Sequence, residues 1–370
     1  MRVLITAGGT GGHIYPAIAL MESLRNKTTK LAVHWVCGTR ELELSAVKSL
    51  GIPYSTLPVG VLPRCSLWGW PFFLAGFLVS MLKSFLILSS FQPDIIVGFG
   101  SFHSCPVIIT AALMRIPSVI CEQNVIPSLT NRMLAKFAKR VVLSFEETRR
   151  YVPRQIQARC VIIGNPVRKQ IVVASGSVAF ENLKLSRGKF TLLFLGGSQG
   201  AHAINKAAVE TLNRLQNSQL ASRVQYLLVT GESDYAWCRQ QMTGNTLEGH
   251  VFAYMEDISP ALAVSDLVIG RSGAGMLAEI TARGLPAILV PYPLATNNHQ
   301  LENARLLAEA GAARIIAEND LSASTLKSTI EDLTKNPADR DTMRAQSRTL
   351  GKPKAAENLS ELIMQLMEEN

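Results

Sequence analysis

Cysteine is sparse in this 370-residue chain: six residues, Cys37, Cys65, Cys105, Cys121, Cys160 and Cys238, with no C-x-x-C pair and no paired histidine spacing. That argues against a disulfide scaffold and a structural zinc site and predicts the reduced thiols of a cytosolic protein. Charged residues are only 18% and aromatic residues 6%, whereas apolar residues are 48%, enough to bury a core and to exclude intrinsic disorder. The start lacks the basic stretch and cleavage site of a signal peptide. Acidic residues are scarce in the first half: residues 1–160 carry 7 Asp/Glu against 17 Lys/Arg, and residues 161–370 carry 21 against 20. A basic half suits an anionic lipid, a phosphorylated substrate or nucleic acid. Nucleic acid is the weakest of these, because no basic helix, zinc finger or RNP-type aromatic signature accompanies the charge.

At roughly 100–200 residues per domain, the length predicts two domains, and a weak internal repeat agrees. Val3-Leu4-Ile5-Thr6-Ala7 runs into Gly8-Gly9-Thr10-Gly11-Gly12-His13 and a helix from about Pro16 to Leu24. Thr191-Leu192-Leu193-Phe194-Leu195 runs into Gly196-Gly197-Ser198-Gln199-Gly200 and a helix from about Ala203 to Leu215. Each is a buried strand, a glycine turn and a helix, the common opening of a doubly wound α/β domain. Strand-like runs follow at 32–36, 95–98, 118–121, 141–144 and 161–164, then at 225–230, 267–270, 287–291 and 313–316. Their alternation with helical stretches predicts parallel sheets covered on both faces. The expectation is two Rossmann-like domains facing a deep cleft, 1–163 and 164–344, joined near Gly164-Asn165-Pro166, with a helix over about 345–370 packing back on the first.

Residues 67–91 contain a single charge, Lys83, and are long enough for a helix that crosses a bilayer core of ~30 Å. Three readings stand: a crossover helix, a crossover helix that also docks on a membrane surface, and a true span. Ser80, Lys83 and Ser84, at i, i+3 and i+4, predict a polar strip. Trp68 and Trp70, with Arg64 beside them, favour docking, because such side chains prefer the headgroup layer.

The first glycine turn is not a Walker A loop, since no Lys-Ser/Thr follows. It also misses G-x-G-x-x-G, and no acidic residue closes the next strand, which disfavours NAD. Glycines between strand and helix still let backbone N–H groups approach an anion or a sugar. His13 is the candidate for proton transfer, with a structural histidine as the alternative. Gly196–Gly200 is a second such turn, with the Ser198 hydroxyl as an added donor or simply a tight turn under a helix. Arg271-Ser272-Gly273-Ala274-Gly275 opens a third helix, whose N-terminus suits phosphate and whose Glu279 suits a ribose diol or merely the helix dipole. Arg168 suits bidentate phosphate contact, a surface arginine being the default. Glu122-Gln123-Asn124 puts polar groups at the end of a strand, as ligand contacts or as caps. Asn297-Asn298-His299-Gln300 and Asn303 offer amides for sugar hydroxyls. Asp339-Arg340-Asp341 is expected to be a helix cap rather than a metal site.

Taken as an ordered set, GGTGGH (8–13), VGFGSF (97–102), CEQN (121–124), LTNR (129–132), GNPVR (164–168), GGSQGA (196–201), RSGAG with Glu279, GLPAILVPYP (284–293) and NNHQ with Asn303-Ala304 resemble the MurG family. These are the bacterial UDP-N-acetylglucosamine transferases of peptidoglycan synthesis. The resemblance implies a glycosyltransferase B arrangement and transfer of GlcNAc from UDP-GlcNAc to the C4 hydroxyl of an undecaprenyl-diphosphate-linked MurNAc-pentapeptide, with inversion and with no cofactor or metal. It implies that Ala274, Gly275, Met276, Leu277, Ala278 and Glu279 hold the nucleotide and that the Met255 backbone meets uracil. Ser198 and Arg168 would take the diphosphate, Gln300 and Asn124 the GlcNAc hydroxyls, while Thr10, Gly11 and Gly12 close over sugar and acceptor. His13 is the first choice of base and Glu122 the second. The implied location is peripheral, on the cytoplasmic face of the inner membrane, against anionic lipid and beside other cell-wall synthesis proteins, with no nucleic acid. The sequence departs from the family pattern at Ser101, where a glycine is usual, at Cys121, where a histidine is usual, and at Met255, where an isoleucine is common. The alternatives are a related UDP-sugar enzyme (a diacylglycerol glycosyltransferase or a UDP-GlcNAc 2-epimerase) and a non-catalytic UDP-sugar-binding scaffold.

Overall fold

The computed structural model describes residues 1–9, 11–58, 69–197 and 200–369. Thr10, Ser198, Arg64, Cys65 and Trp68 therefore lie outside the described residues. The chain divides into two compact units, Met1–Arg168 with Lys354–Asn370, and Lys169–Pro353.

The first unit runs β1 (Arg2–Thr6), α1 (Gly11–Lys27), β2 (Ala32–Cys37), α2 (Glu41–Lys48), β3 (Tyr54–Thr56) and α3 (Gly69–Phe91). It continues β4 (Ile95–Gly98), α4 (Ser104–Leu113), β5 (Ser118–Glu122), α5 (Leu129–Leu134), β6 (Arg140–Leu143), α6 (Arg154–Gln157) and β7 (Cys160–Ile162). Its seven strands lie in the order β3-β2-β1-β4-β5-β6-β7, and every pair is parallel. β4 and β5 are buried along their whole length, because helices cover both faces of the sheet and no position alternates toward water.

The second unit runs α7 (Lys169–Val173), α8 (Gly176–Asn182), β8 (Phe190–Leu195), α9 (His202–Leu215), β9 (Val224–Val229), α10 (Glu232–Gln241), β10 (Gly249–Phe252) and α11 (Ser259–Val264). β11 (Leu267–Gly270), α12 (Ala274–Arg283), β12 (Ala287–Leu289), α13 (His299–Glu309), β13 (Ala313–Ile315), α14 (Ala323–Lys335) and α15 (Pro337–Leu350) complete it. The parallel order is β10-β9-β8-β11-β12-β13. Strand order reverses between β1 and β4 in one sheet and between β8 and β11 in the other. The crevice beyond the carboxyl ends of such a pair is where doubly wound sheets bind ligands. Glycine-rich turns follow all four of these strands.

Several expectations change. α1 starts at Gly11, so Pro16 lies inside it and gives up one ladder bond. The helix expected over about 345–370 is two helices, α15 and α16 (Ala355–Glu368). Only α16 belongs to the first unit, where Leu359, Ile363 and Leu366 join Leu20 and Leu24 in one core and Ser360 Oγ lies 3.0 Å from Ser23 Oγ. Asp339 stands in the first turn of α15, whose cap position is Asn336. The expected cap is therefore a first-turn acid that favours the helix dipole instead.

The polar strip of α3 is inverted. Ser80 and Ser84 are buried, at 0% and 1% exposure, in line with Leu88 at 1%, and their hydroxyls donate to the Gly76 and Ser80 carbonyls at 2.7 Å. Outward stand Phe72, Leu74, Leu78, Leu82, Phe85 and Leu86, each about half exposed or more, together with Lys83. Small serines let α3 press against α4, where Thr110 Oγ1 approaches Met81 Sδ at 3.5 Å; Phe73, Phe77 and Leu88 join the core beside them, and the other bulky apolar side chains are left outside. The helix is long and apolar enough to cross a membrane by length and composition. The strands before and after it, β3 and β4, belong to the same sheet, so α3 is a crossover.

Candidate active site

In the first unit, β1 ends at Thr6 and the chain turns through Gly8 and Gly9 (φ +88°) into α1. His13 is the third residue of that helix. Its Nδ1 lies 2.9 Å from the Gly8 carbonyl. A carbonyl only accepts, so Nδ1 is the donor, and in the neutral ring Nε2 is then the acceptor. Beside it runs the turn after β4, where Gly100 has φ +94° and Ser101 φ +72°. A Cβ on Gly100 would stand 3.1 Å from His13 Nε2 and 3.7 Å from Asn131 Nδ2. Gly100 is thus needed both for its backbone conformation and for the approach of the imidazole.

The β4 turn is pinned from both sides. Ser104 Oγ donates to the Gly100 carbonyl at 2.7 Å, and Gln123 Nε2 donates to the Phe99 carbonyl at 2.9 Å.

Glu122 ends β5 at 2% exposure. Its Oε1 accepts from Asn124 N at 2.9 Å and Asn124 Nδ2 at 3.2 Å. Its Oε2 accepts from Ser128 N at 2.9 Å and Asn131 Nδ2 at 2.8 Å. Four donors converge on one carboxylate, which organises the loop from Gln123 to Asn131. Asn131 then links this carboxylate to the neighbourhood of His13. The sequence held Asn131 only as part of LTNR; its role depends on a fold that brings the end of β5 beside the β4 turn. Arg168, at 8% exposure, lies with this unit, its guanidinium 4.6 Å over the Tyr15 ring of α1.

In the second unit the turn after β8 carries Gly197 (φ +85°) and Gly200 (φ +77°). A Cβ on Gly200 would collide with the Thr230 carbonyl. The turn after β11 leads into α12, whose cap residue Gly273 supplies no side-chain bond and whose first turn holds no acid. The N–H groups of Ala274, Gly275 and Met276 precede the helix's first i→i−4 bond, from Leu277 N to the Gly273 carbonyl at 3.0 Å. They form the positive end of a ten-residue helix, which favours phosphate. Ala274 and Leu277 are buried, so they serve this end through backbone, while Met276, Ala278 and Glu279 are half-buried.

Gln300, on the first turn of α13, is stitched to the same place. Ser272 Oγ donates to its carbonyl at 2.7 Å, Asn303 Nδ2 donates to the Ser272 carbonyl at 3.1 Å, and Gln300 Oε1 accepts from Tyr292 N at 3.0 Å. This last bond turns the amide –NH2 of Gln300 outward as a donor. Arg271 pairs with Glu318 at 2.5 Å and donates to the Val290 carbonyl at 3.2 Å, clamping the β11 and β12 ends together. Met255 is half-buried in the loop after the edge strand β10.

Burial pushes the Cys37, Cys105 and Cys238 thiols up to about 12 and the Cys121 thiol up as well, so these cysteines are packed and unreactive. No group of three or more His, Cys, Asp or Glu suited to a metal occurs among the described residues.

The sequence matches the glycosyltransferase family 28 N-terminal domain over residues 3–143 and the glycosyltransferase family 28 C-terminal domain over residues 191–359. The chain belongs to this family, among the MurG proteins. A relative from Desulforamulus reducens is 37% identical over 99% of both chains, and one from Halothermothrix orenii is 38% identical over 98% of both. Each is named a UDP-N-acetylglucosamine--N-acetylmuramyl-(pentapeptide) pyrophosphoryl-undecaprenol N-acetylglucosamine transferase. The crystal structure of Acinetobacter baumannii MurG superposes with a TM-score of 0.76 at 24% identity, covering 99% of this chain and 100% of that one. Membership makes the chain a glycosyltransferase built from the two Rossmann-like domains of the glycosyltransferase B class.

Proposed function

We propose that this glycosyltransferase moves GlcNAc from UDP-GlcNAc to the C4 hydroxyl of undecaprenyl-diphosphate-linked MurNAc-pentapeptide, inverting the anomeric carbon. The observation that carries the chemistry is the approach of His13 Nδ1 to the Gly8 carbonyl, which in the neutral ring leaves Nε2 as a proton acceptor at the carboxyl edge of the first sheet. Nε2 takes the proton of the muramoyl C4 hydroxyl as its oxygen attacks C1 of GlcNAc from the face opposite the nucleotide. The C1–O bond to the diphosphate breaks, and UDP leaves with the electron pair. An α-linked donor thereby gives a β-1,4 link. The amides that open α12 stabilise the charge on the departing diphosphate, and Arg168 and Ser198 are assigned to the same group. Glu279 takes the ribose, Met255 the uracil, and Gln300 the GlcNAc hydroxyls. Thr10, Gly11 and Gly12 close over the reacting sugars.

Glu122 is assigned as the organiser of Asn124 and Asn131 rather than as the base, because four donors already occupy its two oxygens. The outward apolar face of α3, in a unit rich in Lys and Arg, supports peripheral docking on an anionic membrane surface at the cytoplasmic face, where the lipid acceptor is held.

The test is transfer of labelled GlcNAc from UDP-GlcNAc to the purified muramoyl-pentapeptide lipid with EDTA present. A labelled disaccharide lipid is expected. Conversion of UDP-GlcNAc without acceptor would replace this function with epimerisation. Transfer only to diacylglycerol would change the acceptor, and donor binding without any turnover would make the chain a binding protein.

A further inference from the structure

Ser101 combines two features that ordinarily exclude each other. It has φ +72°, a conformation that costs an L-residue about 1–2 kcal/mol, and it carries a side chain where the family pattern has glycine. Backbone strain of this kind persists where the surrounding structure enforces it, commonly at functional sites. Its Oγ lies 3.4 Å from His103 Nδ1. Its Cβ faces the first glycine turn, since a Cβ on Gly9 would sit 3.8 Å from Ser101 Cβ and 3.8 Å from His13 Nδ1. Ser101 thus borders the turn that carries the proposed base, and it is half-buried rather than sealed.

Behind it stands a charge that the transfer chemistry leaves unexplained. Glu43, on α2, is fully buried. Its Oε2 accepts from Gly38 N at 3.0 Å, while its Oε1 has no hydrogen-bond partner among the described residues. Neither Gly8 nor Gly38 has a positive φ; both are needed for space. A Cβ on Gly8 would stand 2.5 Å from Glu43 Oε2, and one on Gly38 would overlap His103 Nε2 and stand 2.9 Å from Glu43 Oε2. Two glycines therefore make room for one carboxylate and one imidazole.

We propose that Ser101 is a binding residue for the sugar acceptor, with His103 and Glu43 as positioning residues that orient its hydroxyl. Burial lowers His103 from the ordinary imidazole value, against the opposing pull of Glu43 and with Arg40 lowering it further, which favours the neutral ring. The carboxylate on the Nε2 side favours the tautomer protonated there. Nδ1 then accepts the Ser101 O–H, and the serine lone pairs turn toward the glycine turn, suited to a hydroxyl or amide N–H of a sugar. This assignment rests on the transfer reaction proposed above.

The experiment is steady-state kinetics with both substrates varied, together with thermal unfolding, on Ser101→Gly, Ser101→Ala and Ser101→Asn. Loss of one hydrogen bond should raise the acceptor KM roughly three- to tenfold in the glycine and alanine variants and leave the donor KM unchanged. Ser101→Gly, relieved of strain, should unfold at or above the wild-type Tm while binding acceptor less well. Asparagine tolerates this backbone region and keeps a polar group, so Ser101→Asn should fall closer to wild type. His103→Gln, which removes the Nδ1 position, should raise the acceptor KM as Ser101→Ala does, and His103→Asn should restore it. Unchanged acceptor KM in Ser101→Gly and Ser101→Ala, or equal rises for donor and acceptor, overturns the inference alone. A wild-type chain that transfers nothing to the muramoyl lipid overturns the function and this inference together.

Discussion

Asn131 Nδ2 donates to Glu122 Oε2 at 2.8 Å while also donating to the Cys121 carbonyl at 3.1 Å. One amide thereby ties the start of α5 to the last two residues of β5. The consequence is testable in Glu122→Gln, which keeps the shape but replaces one acceptor oxygen with a donor facing other donors. Charge-assisted bonds of this kind contribute about 1.5–3 kcal/mol each. Chemical denaturation should show a loss of that order along with reduced turnover. Full stability with a selective loss of turnover would instead return Glu122 to the role of base.

His13→Ala should behave in the opposite way. It removes one bond to the Gly8 carbonyl, about 1 kcal/mol of stability, and the proposed proton acceptor, roughly 10²–10⁴-fold in kcat. Calorimetric titration with UDP-GlcNAc should find donor affinity unchanged. Near-normal turnover with intact binding would remove His13 from the mechanism.

The inverted face of α3 makes a paired prediction. Leu78 and Leu82 are 67% and 62% exposed, so Leu78→Glu with Leu82→Glu should leave the fold intact and abolish sedimentation with vesicles of anionic phospholipid. Ser84→Leu places bulk at a position 1% exposed and should cost about 1–3 kcal/mol by overpacking. Equal vesicle binding by the double glutamate variant would show that α3 does not dock.

Stability should fall on mild acidification. Burial lowers His34 and is the largest influence lowering His103, so the unfolded chain binds protons that the folded chain resists. Their contribution is fully present above the unfolded imidazole value of ~6.5 and is lost progressively as pH falls from there through the lower folded values. Tm measured from pH 8 to pH 5.5 should decline below about pH 6.5. His34→Gln, which can keep a bond to Ser55 Oγ (now 2.9 Å from His34 Nε2), should flatten part of that slope; an unchanged slope would assign it to other groups.

Much of this was legible along the chain because it is encoded locally. The runs at 95–98 and 267–270 coincide with β4 and β11, since fully buried parallel strands are continuous apolar segments between glycines. The short strands β3 and β10 carry no such pattern. They sit at sheet edges with few apolar residues, and only pairing with β2 and β9 defines them. The positions of His13, the α12 N-terminus and Gln300 at strand-to-helix turns were legible because glycine turns and amide clusters mark such turns. The contacts of Asn131, Ser272 and Glu43 were not, because each acts on a partner set by packing.

The sequence alone determined two α/β halves, their glycine turns and the family, since these depend on composition, periodicity and motif order. The tertiary structure decided which nitrogen of His13 faces the Gly8 carbonyl, because only the fold brings that carbonyl beside it. It also decided that Glu122 is enclosed by donors and that the serines of α3 face inward. A helical pattern marks two faces, and only packing against α4 selects the buried one: close approach needs small side chains, so Ser80 and Ser84 go in with Leu88, while Leu74, Leu78, Leu82 and Leu86 stay out.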